Sequence, residues 1–114
     1  MHVTVGDYVY QIRIYDESCE AMQGWEPGSV FAMDTETVPI KHGHPIIPAF
    51  LQVCNHAMRF IDVVPAHLIV KYLTEFYQRN HNFVVAFHNA PFDLEVLGIK
   101  QEHNKPLLLS LIHI

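Results

Sequence analysis

The sequence predicts an α/β domain built on a mixed sheet flanked by helices, and three observations lead to this fold class. Two short apolar runs, Val30–Met33 and Phe83–Phe87, have the composition of buried strands. Between them, residues 68–77 carry apolar side chains at spacings of three and four, which is typical of an amphipathic helix. Loops rich in proline and glycine separate these segments. Strands on both sides of a helix are the pattern of the α/β class.

Residues 1–28 are predicted to form a β extension and a connector. Apolar side chains alternate across residues 3–15, and a Gly6-Asp7 turn signal interrupts them, so two short strands are expected. These strands form either an added edge of the sheet or the end of another domain. Turn-forming residues then mark the connector: Gly24, Pro27 and Gly28.

Residues 29–108 are predicted to hold the main domain, which begins with the strand 30–35 and a loop rich in proline and glycine. Two β-rich runs on either side of Asn55 and His56 predict a hairpin. Pro65 suits the first position of the following helix, and Asp62 is expected to cap that helix.

The rest of this domain is predicted to be a strand and a second helix. Residues 79–82 end the first helix, and Phe83–Phe87 follow as a strand covered on both faces. Pro91 then opens a helix that ends near Gly98. The predicted order of the main domain is therefore β-β-β-α-β-α.

The composition restricts the class of protein. A chain of 114 residues, half of them apolar, has room for one globular domain. Its formal charge of −5 gives no general basic surface for nucleic acid. Two cysteines form no disulfide framework or zinc pattern, and no secretory signal or membrane span is visible, so a cytoplasmic location is expected.

Three carboxylates lie just after the apolar runs. Asp34 and Glu36 follow the first run, and Asp93 follows the second. Side chains two apart on a strand share a face, so the first two acids can point at one spot. Oxygen clusters of this kind suit hard divalent cations, and paired Mg²⁺ or Mn²⁺ ions are a common means of cutting phosphodiesters.

The three acids belong to two strings of residues: Asp34-Thr35-Glu36-Thr37, and His88-Asn89-Ala90-Pro91-Phe92-Asp93. These strings resemble the first and second motifs of the DnaQ-like, or DEDD, superfamily of 3′→5′ exonucleases, which have a ribonuclease H-like fold. Both motifs follow an apolar strand, in the family's order, and the resemblance covers residues 30–98. It implies an incomplete ribonuclease H-like domain with an N-terminal β extension.

The resemblance also implies roles for the three acids. Asp34 would bridge two metal ions, Mg²⁺ or Mn²⁺, and Glu36 would hold the ion that activates water. Asp93 would hold the second ion. The resulting reaction is hydrolysis of a phosphodiester at a 3′ end.

The implied substrate is the 3′ end of single-stranded DNA, although relatives that trim RNA share the motifs. Thr35, Ile40, Asn89 and Phe92 are the residues expected to contact it, and Asn89 also suits a helix N-cap. A proofreading role beside a DNA polymerase, in cis or in trans, is compatible with this resemblance.

The family's third motif, a Tyr or His four or five residues before another Asp, is not found. After Asp93 the only acids are Glu95 and Glu102. We therefore expect this polypeptide to be the N-terminal portion of an exonuclease and to be inactive by itself. The alternative is a non-catalytic ribonuclease H-like module used for nucleic-acid binding or scaffolding. A histidine-rich metal protein is disfavoured, because the nine histidines are irregularly spaced.

Residues 109–114 follow no pattern of that family. The same six residues are encoded by CTG TCT CTT ATA CAC ATC, the mosaic end of a transposase adapter used in sequencing libraries. We hypothesise that these residues are a translated adapter. The alternative is an ordinary apolar strand or helix start.

Overall fold

The chain folds around one mixed sheet with a helix on one face. The computed structural model describes residues 1–26, 28–39, 42–44, 47–87 and, for the backbone alone, 111–113. The elements are β1 His2–Val5, β2 Tyr8–Ile14, β3 Val30–Thr37, β4 Pro48–Asn55, β5 Phe60–Pro65, a 3₁₀ turn Ala66–Leu68, α1 Ile69–Arg79, β6 Val84–Phe87 and β7 Leu111–His113. The strand order is β1-β2-β5-β4-β3-β6-β7. The predicted α/β class is confirmed.

The centre of the sheet is the antiparallel meander β3-β4-β5. The hairpin predicted at Asn55 and His56 joins β4 to β5. Its turn is closed by the Asn55 side-chain oxygen, which accepts a hydrogen bond from the Met58 amide at 3.1 Å. Arg59 completes the turn with a φ of 60°, in the left-handed region that non-glycine residues seldom adopt.

The two N-terminal strands are present and form an added edge of this sheet. β1 and β2 pair antiparallel around Gly6, whose φ of 60° suits a tight turn. β2 then pairs parallel with β5, from Gln11 beside Phe60 to Ile14 beside Val63. The hairpin therefore extends the sheet that the meander begins.

β6 lies parallel to β3 on the other side of the meander. Two parallel strands need a long connection between them. Here the chain passes from β3 through β4, β5 and α1 before it reaches β6. The short strand β7 pairs parallel with β6. It falls within residues 109–114, whose origin in an adapter stays a hypothesis. The predicted helix from Pro91 to Gly98 lies outside the described residues.

The core lies between α1 and one face of the sheet. Tyr72 and Phe76 on the helix are fully buried, and they meet the rings of Tyr15, which directly follows β2, and of Phe31 on β3. The Phe31 and Phe76 rings meet edge to face at 4.7 Å, and the Tyr15 and Tyr72 rings at 4.9 Å. Aromatic pairs prefer this edge-to-face geometry. The helix buries these aromatic side chains against the sheet, as the predicted amphipathic helix requires.

Two predictions about the start of this helix are wrong. Pro65 is the last residue of β5 and the N-cap of the 3₁₀ turn, so it precedes the first helical position. No side chain caps that turn, and Asp62 instead lies in the core with 1% of its surface exposed. The helix ends at Arg79 with Asn80 as its C-cap, within residues 79–82 as expected.

Both cysteines, Cys19 and Cys54, are free thiols. The histidines His42 and His44 are exposed in the loop between β3 and β4. Of the helices in the described residues, none has the length and apolar character needed to cross a membrane.

Candidate functional site

Asp34 and Glu36 lie on the same face of β3, as the two-residue period of a strand requires. Burial alternates along this strand: Met33 and Thr35 are buried against the α1 side, at 3% and 6% exposure. Asp34 is half-buried and Glu36 is exposed on the opposite face. The core thus holds the strand through residues that alternate with the acids.

Thr35 was predicted to contact substrate, and its side chain points into the core. It lies on the face opposite the two acids. Any contact with a substrate on the acidic face would therefore come from its main chain.

The pairing of β3 with β4 changes directly after the acids. Asp34 pairs with Gln52 and Glu36 with Phe50, but Thr37 pairs with Pro48, so the register shifts between Glu36 and Thr37. A bulge of this kind bends a strand and changes the direction of its side chains, and such bulges are common beside active sites. The two acids occupy the last regular positions of the strand.

The carboxyl end of β6 lies beside these acids. The parallel register of β3 and β6 runs from Val30 beside Val84 to Met33 beside Phe87. Because both strands run in the same direction, the chain leaves β6 at the edge of the sheet that carries Asp34. The second motif begins with the next residue in the sequence.

The remaining predicted site residues all belong to segments without a described structure. Ile40, Asn89, Phe92 and Asp93 lie outside the described residues. Of the predicted metal ligands, the structure places Asp34 and Glu36 together and gives no position for Asp93. In the described part of the chain, no group of three or more His, Cys, Asp or Glu residues could hold a metal.

The donors that are placed fit a hard divalent cation. Two carboxylates on adjacent same-face positions supply oxygen ligands, which Mg²⁺ and Mn²⁺ prefer. Asp34 also borders a cavity of about 290 Å³ on this face of the sheet. Its lining residues come from β3, β4, β5 and β6: Ala32, Met33, Asp34, Gln52, Cys54, Ile61, Ala86 and Phe87.

Comparison with protein-family models, with curated proteins and with solved structures finds no match for this chain. The interpretation of the site therefore depends on its own residues and on the geometry of the sheet.

A larger cavity of about 660 Å³ lies at the other end of β3. Val30, Ala32 and Cys54 line its sheet side, while Trp25 and His56 belong to the neighbouring loops. Ala32 and Cys54 also line the cavity beside Asp34. The two cavities are therefore neighbours on the face of the sheet opposite α1.

Asp62 is a further acidic residue, with a structural position that the sequence did not reveal. Asp62 accepts two hydrogen bonds from Arg13, from Nε at 2.9 Å and from Nη2 at 2.7 Å, and a third from the Tyr72 hydroxyl at 2.9 Å. The hydrogen bond to Asp62 raises the pKa of the Arg13 guanidinium above its ordinary value. This buried ion pair fastens β2 to β5 and α1, away from the acids of β3.

A neighbouring network fastens the connector after β2 to α1. Lys71 donates to Tyr15 and to Glu75, each at 2.7 Å, and Glu75 accepts from the Ala21 amide at 3.1 Å. Hydrogen bonding to Lys71 lowers the pKa of the Glu75 carboxyl. The contacts of Tyr15 with Lys71 and of Ala21 with Glu75 join residues more than 50 positions apart, which is why local patterns in the sequence did not predict them.

Proposed function

We propose that this chain carries part of the site of a divalent-metal-dependent 3′→5′ exonuclease of the DnaQ-like superfamily. The observation that carries the proposal is the placement of Asp34 and Glu36 on one face at the carboxyl end of the central strand β3. The parallel strand β6 ends beside them, immediately before the sequence Asn89-Ala90-Pro91-Phe92-Asp93.

The architecture supports a ribonuclease H-like fold for this domain. The antiparallel meander, the helix and the parallel strand β6 occur in the order β-β-β-α-β, which that resemblance implies. The N-terminal hairpin adds two strands beyond β5.

In this proposal Asp34 and Glu36, with Asp93, hold Mg²⁺ or Mn²⁺. When bound, the ions would supply Lewis-acid activation of water and stabilisation of the leaving 3′ oxygen. The chain's own residues fix the geometry, because buried Met33 and Thr35 prevent β3 from rotating. The exposed position of Glu36 leaves its carboxylate accessible to a substrate.

The proposed substrate is the 3′ end of single-stranded DNA in the cytoplasm, with RNA as the other candidate. A nuclease that removes terminal nucleotides grips the backbone and stacks bases, so it needs no base-specific contact. A DNA polymerase, fused or separate, is the proposed partner.

Metal binding by the 114-residue chain is the direct test. Titration with Mn²⁺, followed by electron paramagnetic resonance, should show binding that Asp34→Asn and Glu36→Gln each weaken by about tenfold or more, because each removes a charged ligand. Glu17→Gln is the matched control, since Glu17 is an exposed acid outside the site. Mn²⁺ binding that is equal in all four proteins would contradict the proposal.

The gene itself supplies the second test. Sequencing the source DNA beyond the codon for Leu108 should reveal an open frame with His or Tyr four or five residues before an Asp. A stop directly after Ile114 in the source DNA would oppose both the adapter hypothesis and the catalytic proposal.

A non-catalytic nucleic-acid-binding module is the second candidate, because residues 94–114 contain no Asp to complete the acidic set. A single-stranded DNA labelled at its 5′ end separates the two functions when it is incubated with the product of the complete open frame. The complete exonuclease would shorten this DNA from the 3′ end with Mg²⁺, whereas the binding module would retain it at full length.

A further inference from the structure

Gln52 lies directly opposite Asp34 on the neighbouring strand. The register of β3 and β4 pairs the two residues. Directly paired residues in an antiparallel sheet share a face, with their Cβ atoms about 4.5–5.5 Å apart. The burial pattern of β4 agrees, because Leu51 and Val53 are fully buried on the α1 side while Gln52 is half-buried.

Small side chains leave space beside this pair. Ala32 on β3 pairs with Cys54 on β4 and with Ala86 on β6, so three central strands carry small residues in one row. All three residues line the cavity of about 290 Å³ that Asp34 and Gln52 also line. The remaining lining residues are apolar: Met33, Ile61 and Phe87.

The side chain of Gln52 can donate hydrogen bonds, which the ionised carboxylate of Asp34 cannot. A carboxamide offers two N–H donors and an acceptor and carries no charge. Beside carboxylates, a neutral donor can bond a phosphate oxygen without adding to the repulsion that a further acid would cause. Placing a polar group in an apolar cavity is costly unless it is hydrogen-bonded.

We infer that Gln52 is a substrate-contacting residue, and that its carboxamide donates a hydrogen bond to a phosphate oxygen of the nucleotide held at Asp34. This inference rests on the proposed exonuclease function. It adds a residue on β4 to the two acids that β3 carries.

Binding of thymidine 5′-monophosphate, the product of cleavage at a DNA 3′ end, tests this contact. With Mg²⁺ present, the ligand should shift the side-chain amide signals of Gln52 in nitrogen–proton correlation spectra. Gln52→Leu identifies those signals by their loss. The Gln52→Leu substitution should also lower the affinity for the nucleotide by about tenfold, the loss expected for one hydrogen bond to a charged group.

Two comparisons give the test its specificity. Gln52→Leu should leave Mn²⁺ affinity within twofold of wild type. Gln52→Glu should instead bind Mn²⁺ more tightly and bind the nucleotide more weakly. Gln11→Leu is the matched control, because Gln11 is an exposed glutamine on β2. Circular dichroism and thermal unfolding confirm that each variant is folded.

The outcomes separate the inference from the proposed function. If the wild-type chain binds the nucleotide with Mg²⁺ and Gln52→Leu binds it equally well, the role of Gln52 is refuted while the exonuclease proposal stands. If the wild-type chain shows no Mg²⁺-dependent nucleotide binding, the proposed function fails, and the Gln52 contact fails with it.

Discussion

Replacing Arg13 with leucine should destabilise the fold severely, because it leaves the buried carboxylate of Asp62 without its cationic partner. Asp62 has a side chain 2% exposed, and Arg13 supplies two of the three hydrogen bonds to it described above. Removing one partner of a buried pair costs about 3–5 kcal/mol, since the remaining charge stays desolvated. The Arg13 side chain is 38% exposed, so water can replace part of its contribution, and we expect about 3 kcal/mol.

Urea denaturation followed by circular dichroism measures this loss. With a slope of about 2 kcal/mol per molar urea, Arg13→Leu should lower the midpoint by about 1.5 M with an unchanged slope. Glu20→Gln is the control, because it breaks the ion pair with Arg79 at a Glu20 side chain that is 77% exposed. Exposed pairs contribute about 1 kcal/mol or less. A loss below 1 kcal/mol for Arg13→Leu would refute the view that this pair fastens β2 to the domain.

Three further perturbations test the core and its ionisable groups. The pKa of Glu75 is lowered from its ordinary value of 4.5, so its carboxylate stabilises the folded state at pH values above about 4.5. The free energy of unfolding should therefore decline as the pH falls below about 4.5, and it should decline less steeply in Glu75→Gln. Acid unfolding followed by circular dichroism measures both declines. Burial raises the pKa of Tyr72 and raises that of Tyr77 to about 12, so the unfolded chain ionises first and stability should fall as pH rises above about 10. The ring signals of Tyr72 and Tyr77 in carbon–proton correlation spectra should then keep their neutral positions until the chain unfolds, and ionisation of either ring in the folded protein near pH 10 would contradict the raised pKa values. Phe76→Ala should cost about 3–5 kcal/mol in urea denaturation, because Phe76 is fully buried against Phe31.

The sequence predicts most of the sheet because its strands carry local signals. The alternation in β3 and the turn residues between β4 and β5 are visible within a few positions, and so is the spacing of apolar residues in α1. Asp62 was misread for the same reason: a local rule makes an acid before a helix a cap, while its real partner, Arg13, is 49 positions away. Tertiary pairing decided the role of that residue.

The candidate site likewise has one part that local sequence predicts and one part that depends on strand pairing. The period of a strand is enough to place Asp34 and Glu36 on one face, but Gln52 enters the site only through the register of β3 with β4. Register depends on pairing across the sheet and is not visible in either strand alone. A residue of ordinary appearance in the sequence thus becomes the neighbour of a predicted metal ligand.

The alternation in β3 also explains how a strand can carry acids at its end without losing stability. Met33 and Thr35 bury their side chains against the helix side, so the core fixes the strand while Asp34 and Glu36 face away from it. Because Glu36 is exposed and Asp34 is only half-buried, much of the cost of desolvating their charges is avoided until a cation or substrate covers that face. Reversing the arrangement by one residue would bury both carboxylates and expose the apolar side chains. The same period that builds the core therefore keeps the proposed ligands accessible, which is the physical link between this fold and the proposed metal-dependent activity.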